Sequence, residues 1–246
     1  MNAIPTLKPS ALHRSAAGHA AMAVGVLVLG ASAFAWVLDL SDAYPLKSFA
    51  VLLIALALLA PLLRQHQPQT AVGWANRVTL LRLVLTALLA GLLGESVADS
   101  GWWVVALALT VVTLDGVDGW LARRFQTESA FGARFDMETD ALLILVLAAL
   151  AWALGKAGVW ILLAGGLRYA FVAAGYHLAW MRRELPCSQR RKAACVVQIA
   201  TLIACVAPVL QTPWSAWVGG GGLIFLCYSF WIDVRWLRRH ARAAED

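Results

Sequence analysis

Charge is scarce in this sequence. Only 14% of its 246 residues are Asp, Glu, Lys or Arg, where a soluble domain carries about 25%. With 61% apolar residues and a mean hydropathy of +0.72, a soluble globular fold is excluded and an integral membrane protein is indicated. Cysteine is scarce too. Cys187, Cys195, Cys205 and Cys227 form no CxxC pair, and three of them sit in apolar runs. They read as reduced structural thiols, neither a disulfide framework nor a metal cluster. No internal repeat of fixed period appears. No A-x-A-like site followed by a soluble domain appears either, so the first apolar run is expected to be a retained helix and not a cleaved signal. The pI near 9.5 is attributed to positive-inside topology and contact with anionic lipid heads; nucleic acid is not an expected partner.

What is present fits a membrane. Several of the 12 Trp lie at the ends of apolar runs (Trp74, Trp102, Trp103, Trp214, Trp236), as an interfacial belt requires. Eight runs are long enough, or nearly so, to cross about 30 Å of hydrocarbon. They cover approximately 17–38, 44–63, 76–95, 102–122, 137–155, 158–181, 193–211 and 214–236. An open sheet cannot survive in lipid, so the runs are expected to be helices. With the N-terminus inside, 16 of the 20 basic residues fall on the cytoplasmic side, Lys47 and Lys156 fall opposite, and Arg82 and Arg168 fall within spans. The expectation is an all-α, polytopic bundle of about eight transmembrane helices, N-in and C-in. Residues 123–135 then face the cytosol. Apart from Lys47 near the outer end of the second, the first two spans hold no charge, and they read as a pair added before a chemical core. Gly219–Gly222 is expected to bend the last helix or permit close packing.

The acidic residues are concentrated. LDGVDGWLARRFQTESAFGARFDMETDALL, residues 114–143, holds six. Asp115 and Asp118 are three apart and Asp136 and Asp140 four apart, so on helices each pair shares a face. The turn between the two helices is short and polar, which makes them antiparallel neighbours. Gly119, Ala122 and Gly132 keep the surface beside the acids low, so a bulky ligand can approach. Helix capping or surface ion pairing would explain Glu128 and Glu138, but not four carboxylates converging near membrane depth, where each costs about 2.5–3.5 kcal/mol on insertion scales. Arg123 alone does not balance them. One or two divalent cations would. An oxygen-only ligand set without His or Cys favours Mg²⁺ or Mn²⁺, and a pair of such ions suits displacement at phosphorus.

The stretch fits D-x-x-D-G-x-x-A-R-x8-G-x-x-x-D-x-x-x-D at Asp115, Asp118, Gly119, Ala122, Arg123, Gly132, Asp136 and Asp140. This resembles the signature of the CDP-alcohol phosphotransferases. NRVTLLR, with Asn76, Thr79 and Arg82, resembles the N-x-x-T-x-x-R opening of that family's first core helix. The resemblance covers residues 74–236. It implies an added helix pair in 1–70, a six-helix core in 71–240 and a short cytoplasmic tail in 241–246. It also implies a transferase of phospholipid synthesis. A CDP-linked alcohol, expected to be CDP-diacylglycerol, would bind two metal ions through its diphosphate. An acceptor hydroxyl would attack the phosphorus distal to cytidine, and CMP would leave. Asp115, Asp118 and Asp136 would ligate metal, and Asp140 would be the general base and could share a metal. Asn76, Thr79, Gly119, Ala122, Arg123 and Gly132 would form the CDP site. A homodimer and a site facing the cytoplasm of a bacterial inner membrane complete the expectation.

The acceptor is less determined. METDALL after Asp136 lacks the P-x-A-D-K and S-x-A-D forms of relatives with known acceptors. Arg168, in a span, reads either as an ion-pair partner of the acids or as an acceptor clamp. Arg190, Arg191 and Lys192 read as a positive-inside anchor or as a site for an acceptor phosphate, and Arg134 as a further acceptor contact. His177 reads as a packed or interfacial histidine. Three rivals stand beside this reading: a divalent-cation transporter, which lacks the expected paired repeats, a non-catalytic scaffold, and a relative that joins a soluble CDP-alcohol to a lipid acceptor.

Overall fold

The computed structural model describes residues 11–66, 73–96, 101–125, 129–183, 185–186 and 188–242, with backbone alone at 11–13, 64–66, 123 and 242. Lys8, Glu128, Cys187, the tail 243–246 and the side chain of Arg123 thus lie outside the described residues. The described residues form eight α-helices with short 3₁₀ turns and no strand. These are α1 (Ala11–Leu38), α2 (Ala43–Leu59), α3 (Trp74–Gly91), α4 (Gly101–Arg124), α5 (Ala130–Ala153), α6 (Leu163–His177), α7 (Gln189–Val206) and α8 (Trp214–Arg242). An all-helical chain follows from its composition, because only helices satisfy every backbone N–H and C=O within the segment when water is absent.

Among the described residues, five segments are long and apolar enough to cross a membrane: Arg14–Leu38, Ala43–Leu63, Gly101–Ala122, Val159–His177 and Trp214–Ala241. The protein is therefore an integral membrane protein. α3, α5 and α7 are the remaining three of the eight expected runs. They are helical, but polar and charged side chains interrupt their apolar faces. Boundaries also move. The run expected at 76–95 is α3, which ends at Gly91. The run expected at 158–181 is a 3₁₀ turn at 159–162, then α6, then a second 3₁₀ turn at 179–182. The run expected at 193–211 begins at Gln189, which brings Arg190, Arg191 and Lys192 into the first turn of α7.

The chain forms two compact units, Met1–Gly91 with Leu109–Thr139, and Leu92–Ala108 with Asp140–Asp246. In the first, α1, α2 and α3 pack on one another. α3 is the centre, with 13 of its 18 residues buried. Near the start of α2, the Tyr44 hydroxyl donates to the Leu88 carbonyl at 3.1 Å. A Cβ on Gly91 would fall 2.1 Å from Ser48 Oγ, so only glycine lets α3 come this close to α2. In the second unit, α7 packs along α8. A Cβ on Gly222 would fall 2.1 Å from Thr201 Oγ1, so the glycine run serves close packing there.

Candidate active site

Asn76, Thr79 and Arg82 recur every third residue of α3 and therefore share one face. All three are buried, Arg82 completely. A guanidinium at membrane depth is costly without counter-charges. Arg82 has three. Nη1 donates to Asp118 Oδ2 at 2.8 Å and to Asp136 Oδ1 at 2.5 Å, and Nη2 donates to Asp115 Oδ1 at 2.7 Å. Thr79 Oγ1 adds a hydrogen bond to Asp118 Oδ2 at 2.9 Å. Carboxylates from two helices thus meet around a cation from a third. The sequence places Arg82 within a span and in a motif but gives it no role of its own. The available signal was its position, since a charged residue inside an apolar run demands a partner.

Oxygen atoms of Asp115, Asp118 and Asp136 all lie within 4.8 Å of one another. Arg82 offsets only one of the three negative charges, which leaves charge enough for a doubly charged cation. Each carboxylate gives Arg82 one oxygen and has a second. This hard, all-oxygen donor set fits Mg²⁺ or Mn²⁺. Access is one-sided. The Asp118 side chain is 6% exposed, whereas those of Asp115 and Asp136 are 41% and 43% exposed, so the group opens at its mouth and is closed behind.

The surroundings follow from small residues and a cap. Ser129 Oγ accepts a hydrogen bond from the Gly132 N–H at 3.0 Å and caps α5. A Cβ on Gly132 would fall 2.8 Å from Asn76 Oδ1, so glycine lets α5 close on α3. Gly119 and Ala122 are half-buried along α4.

The expected fourfold convergence is threefold among the described residues. Asp140 lies one turn beyond Asp136 on α5 and belongs to the second unit. There it accepts a long contact from Cys195 Sγ at 3.9 Å, a weak bond by thiol standards. Arg168 is half-buried on α6, while Arg134 and Lys192 are exposed. His177 is exposed at the end of α6 and is not packed. Arg190 donates to the Ser229 carbonyl and, at 2.6 Å, to Ser229 Oγ, and pairs with Asp233. Arg191 lies 3.6 Å from Asp233 and donates to the Pro186 carbonyl. These two arginines therefore bind the start of α7 to α8. Asp233, buried in the last apolar run, was not singled out from the sequence.

No curated protein and no solved structure matches the chain. A family model does, over residues 72–228, well over half of the chain, and that segment contains Arg82 and all four aspartates of the motif. The chain belongs to the CDP-alcohol phosphatidyltransferase family, whose members move a phosphatidyl group from a CDP-linked alcohol to a second alcohol and typically use a divalent metal.

Proposed function

We infer that this protein transfers a phosphatidyl group from CDP-diacylglycerol to an alcohol acceptor and releases CMP, as a step of phospholipid synthesis. The observation that carries the reading is the group of Asp115, Asp118 and Asp136, held at 4.8 Å or less around Arg82 and open on one side. In this reading the three aspartates are metal ligands. Bound Mg²⁺ or Mn²⁺, expected as a pair, would neutralise the non-bridging diphosphate oxygens and the leaving phosphate of CMP.

The chain's own residues do the rest. Arg82 holds one oxygen of each carboxylate and leaves the second for a cation. Asn76, Thr79, Gly119, Ala122 and Gly132 shape the cytidine side, where low side chains let the nucleotide approach. Arg123 serves the phosphates. Asp140 takes the proton of the acceptor hydroxyl as its oxygen attacks the phosphorus distal to cytidine. The bond from that phosphorus to CMP breaks, and CMP leaves with the electron pair. Arg134, Arg168, Arg190, Arg191 and Lys192 are the acceptor-side candidates. Of these, Arg190 and Arg191 also hold α7 to its neighbours through Asp233 and Pro186.

The basic-residue bias supports an N-in, C-in chain with the site at the cytoplasmic face of a bacterial inner membrane. Residues 71–240 form the catalytic core, 1–70 the added pair and 241–246 the tail. A homodimer is carried over from the family resemblance alone. The test is direct. Purified protein is given Mg²⁺ or Mn²⁺, CDP-diacylglycerol and a panel of alcohols. CMP release and a new phosphodiester lipid identified by mass spectrometry are expected. Metal movement into liposomes without nucleotide consumption would replace this reading with transport.

A further inference from the structure

The helix pair α1–α2 lies outside the matched residues and contributes none of the three clustered aspartates. Against α3 it is pinned at one end by Tyr44, Ser48 and Gly91. At the other end the helices part around a cavity of about 470 Å³, within the range of roughly 300–1,000 Å³ typical of ligand sites. Its wall includes Ala20 of α1, Ala57 of α2, Asn76 and Leu80 of α3, and Phe131 and Phe135 of α5. Of 14 lining residues only His19 and Asn76 are polar, and His19 Nδ1 donates to the Ser15 carbonyl at 2.7 Å.

The wall selects its occupant. Ordered water needs two to four polar partners, and this lining offers too few. An empty apolar void forfeits packing contacts on every side. What a membrane supplies to such a space is hydrocarbon. The cavity also adjoins the aspartate site. Asn76 stands in its wall, one turn from Thr79, which bonds Asp118. Phe131 and Phe135 immediately precede Gly132 and Asp136. A lipid whose diphosphate sits at the aspartates has its tail beside this opening.

We propose that the cavity formed by the N-terminal helix pair with α3 and α5 holds one acyl chain of the CDP-linked donor, with Asn76 at the junction between chain and head group. The added pair is then part of the substrate site and sets the preferred chain length. The proposal rests on the donor reading above.

Two measurements on the full-length purified protein test it. In the first, CDP-diacylglycerol with a diazirine in one acyl chain is photolysed on the protein and the labelled residues are mapped. Phosphatidic acid bearing the same chain serves as the comparison. Labels in the wall segments of α1, α2 or α5, several-fold stronger with the CDP-lipid, are expected. Equal labelling by both lipids would assign the space to bulk lipid, and labels that avoid the wall would empty it of any role; either overturns the proposal. In the second, Ala20→Trp and Ala57→Trp fill the cavity. The KM for a dioleoyl donor should rise about tenfold or more, the cost of displacing about two methylenes, while a dihexanoyl donor keeps its KM. Leu29→Trp, on the exposed face of α1, should change neither. A chain-length dependence unaltered by the two fillers counts against the proposal. The two readings fail separately: no CMP from any CDP-lipid sinks the donor reading, whereas normal CMP release with an unlabelled wall sinks the cavity.

Discussion

α2 and α3 are almost equal in length, 17 and 18 residues, and they pack side by side. α2 is the more apolar, with Lys47 as its one charged residue, yet only Tyr44, Ser48, Leu52 and Leu59 are buried. α3 carries Asn76, Thr79, Arg82 and Thr86 and buries all four. In water that arrangement would be inverted. In a membrane the solvent is hydrocarbon, so apolar side chains such as Leu46, Ile54 and Leu58 face outward without penalty. The polar ones collect where they can satisfy one another. Hydropathy therefore locates the lipid-facing helices of this chain, and its interruptions locate the chemistry.

Four substitutions sharpen or break that contrast. Asp140→Asn removes the assigned base and should lower kcat by about 10²–10⁴-fold, while CDP-lipid binding by calorimetry stays within about twofold of wild type, since the uncharged amide keeps the carboxylate's shape. Turnover near wild type would reject Asp140 as base. Arg82→Ala leaves three carboxylates without their shared cation and should cost roughly 3–5 kcal/mol of stability, read as a large fall in Tm in detergent. A Tm near wild type would mean the ion pairs contribute little. Arg168→Ala, if the residue clamps the acceptor, should raise the acceptor KM about tenfold or more, the scale of one charged hydrogen bond, with a smaller change for the CDP-lipid. Equal changes in both would count against a clamp. Leu58→Ala, on the outward face of α2, should shift stability by less than about 0.5 kcal/mol. A loss comparable to that of Arg82→Ala would show that α2 is no lipid-facing helix.

Much of this was readable from residue order. Eight apolar runs become eight helices, because backbone satisfaction leaves a membrane segment little choice. The three-residue spacing of Asp115 and Asp118 does put them together, and Asp136 joins them as the short turn requires. Three things were hidden. Arg82 was visible as a misplaced charge, but its partners lie 33, 36 and 54 residues away and no local pattern pairs them. Asp233 shows the same blindness in the second unit, where the sequence offers its partner Arg190 as a positive-inside anchor or an acceptor-phosphate contact and not as an ion-pair partner. The cavity beside Asn76 is a negative feature. It arises from several alanines standing where larger side chains would have met, and periodicity does not report on space left unfilled.

The guanidinium among the aspartates also bears on how the chain matures. Arg82 precedes Asp115, Asp118 and Asp136 in the order of synthesis, so its positive charge is in place before any of these three is made. Small metal-dependent domains often stay unfolded until their ion arrives. Here one counter-ion is built into the polypeptide, so in the proposed reading the bundle can assemble before any metal binds.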